Sequence, residues 1–245
     1  MADTHNPLEQ FKIIRHLNMD VAGIDFSFTN SSMWMVIGIA LVTLLMTQGM
    51  KQRAMVPGRL QSMAELLYEF VAGVLQENAG KKGMQYFPFV FTLFMFILIA
   101  NLLGMLPIAF TTTSHIVVTF ALAMLVFVIV NVIGFMRHGL HFFSLIVPGG
   151  VPWYMLILLV PIELLSYLTR PISLSVRLFA NMLAGHTMLK VFAGFVIGLG
   201  LIGGWLPLAF IVVFTGLEVM IACLQAYVFA VLTCIYLNDA LNLHH

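Results

Sequence analysis

Charge is what this sequence has least of. Only 9% of its 245 residues are Asp, Glu, Lys or Arg, and 61% are hydrophobic; a soluble domain carries about a quarter charged residues. So much apolar surface cannot be hidden in one water-soluble core of this size, which excludes a chain bathed in water on all sides. A bilayer is the solvent that fits. The net charge of +1 predicts neither nucleic acid nor a strongly charged partner. Cysteine is almost absent. Cys223 and Cys234 lie in one apolar run, about 16 Å apart along a helix, too far to bridge each other. No G-x-x-x-x-G-K-[ST] loop occurs, which excludes direct P-loop nucleotide chemistry. Residues 1–30 have no basic stretch leading into an apolar core, so no secretory signal is expected; Asp3, Glu9, Asp20 and Asp25 are scattered there. Phe11, Ile14 and Leu17 are spaced to form one short amphipathic turn on a membrane. What the chain has in plenty is Phe and Met, 21 and 17 of them, read as lipid-facing and packing surface and not as cofactor ligands.

The apolar runs mark out the chain. The first is Met33–Met50, opened by Trp34 and followed by Lys51, Arg53 and Arg59. Ser62-Met-Ala-Glu65 has the pattern of a capping box, and Met63, Leu66, Leu67, Phe70, Val71, Val74 and Leu75 continue it as one apolar stripe. This predicts an amphipathic helix along the membrane surface at 62–78. Lys81 and Lys82 close it. Phe87–Leu106 is a span with Asn101 as the polar residue in its middle; Pro107 and Thr111–Ser114 make an uncharged turn, and His115–Phe135 spans back to Arg137 and His138. The Lys/Arg bias puts the N-terminus outside and these basic connections inside. From 151 to 190 the chain is apolar apart from a few polar and charged residues, with Pro161 and Pro171 as its strong breakers. As a helix it is about 60 Å long, twice the hydrocarbon thickness of about 30 Å, so it lies oblique or bends. A glycine-rich stretch, Gly194–Gly204, precedes a last helix at Leu206–Leu237.

The division expected is 1–32, polar and outside; 33–136, three spans with the surface helix; 137–150, a connection on the cytoplasmic side; and 151–245, a helical hairpin. The fold class is an all-α integral membrane protein. It has about five membrane helices plus one amphipathic surface helix, the last two forming a long, strongly tilted antiparallel hairpin.

Buried charge gathers in that hairpin: Glu163, Arg170, Arg177, His186, Lys190 and Glu218. Each costs about 2.5–3.5 kcal/mol at membrane depth even on the lenient scale, so such residues face protein or water and mark function by default. Glu163, Arg170 and Arg177 recur every seven residues and share a face, with about 20° of drift per heptad. Asn181 extends it, and His186 falls on roughly the opposite side. Glu218 and Gln225 share a face of the last helix. In an antiparallel hairpin, opposed residue numbers sum to a constant. His186 with Glu218 gives 404 and Arg177 with Gln225 gives 402, which puts the turn near residue 201. Arg170 and Lys190 have a second reading, snorkelling to an interface, and Arg177 another, capping helix carbonyls. His115, His138 and His141 sit at span ends and read as solvated; with no companion ligand, His138 and His141 make no metal site.

The segment Pro171-Ile-Ser-Leu-Ser-Val-Arg177-Leu-Phe-Ala-Asn181-Met-Leu-Ala-Gly185-His186 resembles the signature of subunit a of the F-type ATP synthase membrane sector. The run Glu218 to Leu224-Gln225-Ala226-Tyr227-Val228-Phe229 resembles that family's second signature, and helix order and length are similar over nearly the whole chain. The resemblance implies a static proton path against a rotating ring of subunit c. Arg177 then matches the essential arginine, Asn181, His186, Glu218 and Gln225 the polar path, and Glu163 an acid near the cytoplasmic exit. In many bacterial members the acid and the histidine of the pair are exchanged relative to His186 and Glu218. The order here is that of mitochondrial members, which implies a bacterial, alphaproteobacterial-like or mitochondrial source. The implied partners are the c-ring, subunit b or a b/b′ peripheral stalk, and membrane lipid, with no nucleic acid, no direct nucleotide binding, no cofactor and no metal. The implied place is a bacterial inner membrane or the mitochondrial inner membrane, with the C-terminus inside. On this resemblance the chain is not an enzyme on its own.

Two other classes compete. A self-contained proton-coupled secondary transporter usually shows repeated halves and broken helices meeting at a midplane site; here the buried charge lies in the second half and no repeat is visible. A purely structural membrane subunit of a respiratory complex leaves the shared-face charges unexplained.

Overall fold

A computed structural model describes residues 15–17, 20–21, 24–25, 28–51, 57–106, 111–139, 141–142 and 153–242. From Asn30 onward all regular structure among them is helical: α1 Asn30–Gly49, α2 Arg59–Gly83, α3 Phe87–Gly104, α4 Ile116–His138, α5 Trp153–Gly203 and α6 Trp205–Leu241, with short 3-10 turns at Met84–Tyr86 and Thr112–Ser114. Five helical stretches are long and apolar enough to cross a membrane. Ahead of α1, Arg15–Leu17 pairs with Phe28–Thr29 and Asp20–Val21 with Ile24–Asp25, two short antiparallel ladders. Leu17 is therefore extended and not in a helical turn, while Phe11 and Ile14 fall outside the described residues, as do Arg53 and Pro107.

Thr29 caps α1, its hydroxyl accepting from the Ser32 N–H at 3.3 Å. The helix expected at 62–78 starts earlier. Gly58, just after Pro57, is the N-cap of α2, and the Ser62 N–H already donates to the Gly58 carbonyl at 2.8 Å. The capping box is therefore not formed, and Glu65 accepts instead from Gln61 Nε2 at 2.8 Å. The expected stripe is also turned. Ala64, Val71, Val74, Leu75 and Ala79 are buried, whereas Met63 and Leu66 are 52% and 67% exposed. Small and β-branched residues let α2 lie close along α3 and α6.

α3 runs through the centre of the bundle, with Val90, Met95, Ile97 and Asn101 fully enclosed. Asn101 Nδ2 donates to the Ala222 carbonyl of α6 at 3.2 Å. At one end of the bundle the C-terminal ends of α2, α4 and α6 meet: Lys82 Nζ donates to Asn242 Oδ1 at 3.3 Å, and His138 Nε2 to the Leu241 carbonyl at 3.4 Å. His138 is thus a cap for α6 and not simply solvated.

α5 holds 51 residues, about 75 Å of helix. It passes through Gly194 and Gly198 and leaves helical geometry at Gly200, φ 61°, while Gly204 is back in helical geometry at the start of α6. Gly200 is one residue from the expected turn near 201. In apolar surroundings an unpaired N–H or C=O is costly, so the helix continues through glycines until the chain must reverse. Gly204 is required there, because a Cβ would lie 2.6 Å from the Gly200 carbonyl oxygen. Phe192 stacks on Phe210 and Phe214, at 5.8 and 5.4 Å between centroids, and holds α5 against α6. Among the described residues from 187 to 217, only Gly204 and Pro207 are buried.

Candidate functional site

The hairpin brings His186 and Glu218 together as the register argument requires. His186 Nδ1 is hydrogen-bonded to Glu218 Oε1, and both side chains are nearly enclosed, 11% and 5% exposed. His186 Nε2 donates to the Gly104 carbonyl of α3 at 2.6 Å. The approach depends on Gly185, where a Cβ would stand 2.7 Å from Glu218 Oε1. Beside the pair is a pocket of about 170 Å³ lined by Asn181, Gly185, Met188, Phe214 and Glu218 among others, with room for several waters.

Arg177 is turned the other way. It is exposed, and no ion pair or hydrogen bond holds it among the described residues. Next to it Ala180, Ala184 and Thr187 line a shallow groove on the outer side of α5. Gln225 is buried on α6 and forms no hydrogen bond with Arg177 among the described residues, so the structure does not join that pair. Asn181 and Glu163 are half-buried.

Arg170, which had two readings, faces protein. Its Nη1 pairs with Asp239 Oδ2 at 3.1 Å, and its guanidinium lies 5.2 and 5.1 Å from the rings of Tyr167 and Tyr236. The Tyr167 hydroxyl donates to Asn131 Oδ1 at 2.7 Å and ties α5 to α4. Asp239 was not singled out in the sequence because it lies beyond the last apolar run. Lys190 lies one turn past His186 and is exposed.

Two polar features had no role assigned from the sequence. Asn101 is fully enclosed and its Oδ1 has no partner among the described residues. Thr111, Thr112, Thr113 and Ser114, read as a plain turn, are all buried because their 3-10 turn packs against α3, α4 and α5. Four consecutive hydroxyls between two apolar spans were the available signal. His115 is partly buried, and burial holds its imidazole below the usual histidine range. Among the described residues no three His, Cys, Asp or Glu side chains gather where they could hold a metal.

The sequence matches known proteins over nearly its full length. Residues 31–238 match the family model described as ATP synthase A chain. The chain is 56% identical over 241 residues to ATP synthase subunit a of Pelagibacter ubique, covering 98% of this chain and 99% of the relative. It is 56% identical over 240 residues to that of Rhodospirillum rubrum, with 98% and 100% covered. With that of Mesorhizobium japonicum the identity is 56% over 250 residues, with 100% and 99% covered. A match that takes in the bundle, the long hairpin and both signature segments means that the chain belongs to the ATP synthase A chain family.

Proposed function

We propose that the chain is the stator subunit of a rotary ATP synthase, supplying two proton half-paths and a separating arginine against a rotating ring of c subunits. It is a multi-pass membrane component of the F-type complex and not an enzyme on its own. The observation that carries the reading is the division of α5: Arg177 points outward, while His186 on the other side is enclosed against Glu218. A self-contained transporter would leave Arg177 as an uncompensated charge at membrane depth. A partner bearing a carboxylate removes that cost.

A guanidinium stays protonated under biological conditions, so Arg177 acts as a fixed positive charge and not as a relay. A ring carboxylate that reaches it is favoured as the anion and releases its proton into one half-path; once past Arg177 it is reprotonated from the other, so it is neutral while it travels the rest of the turn through lipid. Arg177 thereby blocks a direct leak. Each proton delivers about 2.3 kcal/mol per 100 mV of membrane potential. The groove at Ala180 and Ala184 supports the ring as partner, since small residues let a second helix come close. Subunit b or a b/b′ peripheral stalk is the further membrane-sector partner.

Basic residues gather at the end where α2, α4 and α6 finish, among them Lys81, Lys82 and Arg137. The positive-inside bias makes that the inner side of a bacterial or mitochondrial inner membrane. His186 and Glu218 sit against the end of α3 at the opposite end, which supports an outer half-path through them, with Asn181 and Gln225 as polar lining toward Arg177. Glu163 lies one turn before Tyr167, itself tied to the C-terminal half of α4, which supports an inner half-path there. The test is Arg177→Ala in the assembled complex. ATP-driven proton pumping and ATP synthesis should be lost while the chain still assembles. Arg177→Lys, with a point charge in place of a planar fork, should be almost as damaging. Normal coupled pumping by Arg177→Ala vesicles would make Arg177 a structural residue.

A further inference from the structure

α3 ends at Gly104, one of the helix-terminal carbonyls that lack an intrahelical partner. Two side chains from elsewhere fill that vacancy. The buried Thr111 hydroxyl donates to the Gly104 oxygen at 3.0 Å, and His186 Nε2 donates to it at 2.6 Å. The three groups are packed tightly. A Cβ on Gly104 would stand 2.8 Å from Thr111 Cγ2 and 3.2 Å from its Oγ1.

A carbonyl oxygen only accepts. Nε2 of His186 must therefore carry hydrogen whether the ring is neutral or charged. The nitrogen left facing Glu218 Oε1 is Nδ1. In the neutral ring Nδ1 is then an acceptor, and it makes its bond only if Glu218 holds the proton; in the charged ring it donates to the carboxylate. Either way one proton lies between the two residues and the pair is neutral. Were the ring released from Gly104, the other tautomer would let a neutral imidazole donate Nδ1–H to an ionised Glu218, and the pair would rest with one negative charge. The empty state is disfavoured too, because Glu218 Oε2 is buried with no donor among the described residues.

We propose that the Gly104 carbonyl, held by the Thr111 hydroxyl, is a positioning device that fixes the Nε2–H tautomer of His186 and confines proton exchange to Nδ1 and Glu218. The inference rests on the half-path reading of His186 and Glu218. As a proton arrives from the outer side, the pair passes its own proton inward, so the count on the pair is unchanged and the Nε2 hydrogen takes no part. Thr111 touches no conducted proton and acts through His186 alone.

The test uses the assembled complex in inverted vesicles and reads the initial rate of ATP-driven acidification, scaled to the amount of chain present. Thr111→Val keeps the shape and removes the donor, and should slow pumping about fivefold, the value of one neutral hydrogen bond. Thr111→Ser restores the donor and should recover most of the rate. In a His186→Ala background, Thr111→Val should add no further loss. The positioning role is overturned if Thr111→Ser is as slow as Thr111→Val, or if Thr111→Val costs its full factor without His186. Should His186→Ala pump nothing, the Ser against Val comparison decides alone. His186→Ala with undiminished pumping would instead overturn the half-path reading itself, a result distinct from an additive Thr111 effect on an intact histidine dependence.

Discussion

At the scale of single residues, the proposed outer half-path depends on one acid and one imidazole meeting at membrane depth. Losing Glu218 should reduce pumping more than losing His186, because water replaces a neutral imidazole more readily than it replaces the acid. The exchange variant, His186→Glu with Glu218→His, puts an acid and a base back across the same gap. It should conduct more than Glu218→His alone, though less than the native chain because Gly104 loses its imidazole donor. Proton uptake measured in vesicles decides this, and a double variant no faster than the single one would dissolve the facing pair. The pair was legible in the sequence because a carboxylate and an imidazole are rare in apolar helices, and an antiparallel register fixes which of them can meet. Gly104 and Gly185 were not legible as site residues. One contributes a backbone carbonyl and the other the absence of a side chain, and neither has a chemical signature of its own. Arg170 stayed open for a related reason: its partner Asp239 lies 69 residues away, past the point where the apolar pattern stops.

At the scale of elements, α2 shows where periodicity misleads. In water a stripe of large apolar residues faces inward, but in lipid the outside is apolar too. Packing then selects the small side chains, so Ala64 and Ala79 are buried while Leu66 is not. The stripe divides accordingly: Val71, Val74 and Leu75 pack inward, while Met63, Leu66 and Phe70 face outward. The same close approach governs α5 and α6 at Gly185. Gly185→Ala would drive its methyl group into Glu218, whose Oε1 and Cδ lie 2.7 and 3.1 Å from the Cβ position. Overpacking of that kind costs about 1–3 kcal/mol, so pumping should fall at least about fivefold with the amount of assembled chain little changed. Assembly quantified beside acidification separates this from misfolding. Equal rates for Gly185→Ala and the native chain would mean that the carboxylate need not stand over α5.

At the scale of the whole molecule, the gathering of basic ends predicts an orientation that can be measured. Single cysteines at Thr4 and Lys82, in a chain whose own Cys223 and Cys234 are replaced, should react with an impermeant thiol reagent from opposite sides of sealed vesicles. Reaction of both from one side would sink this topology, and with it the assignment of outer and inner half-paths. The hairpin itself is a mechanical part. Its root is clamped to α4 and α6 through Tyr167, Arg170 and Asp239, whereas from 187 to 217 almost nothing described is enclosed. It is a beam fixed at one end, and the ring proposed as its partner would apply a sideways load as it turned. A beam of that kind deflects steeply with distance from its clamp. Arg177 stands two helical turns from Arg170, where the beam is stiffest, so the charge proposed to meet each passing carboxylate holds its place while the free tip bends with the lipid.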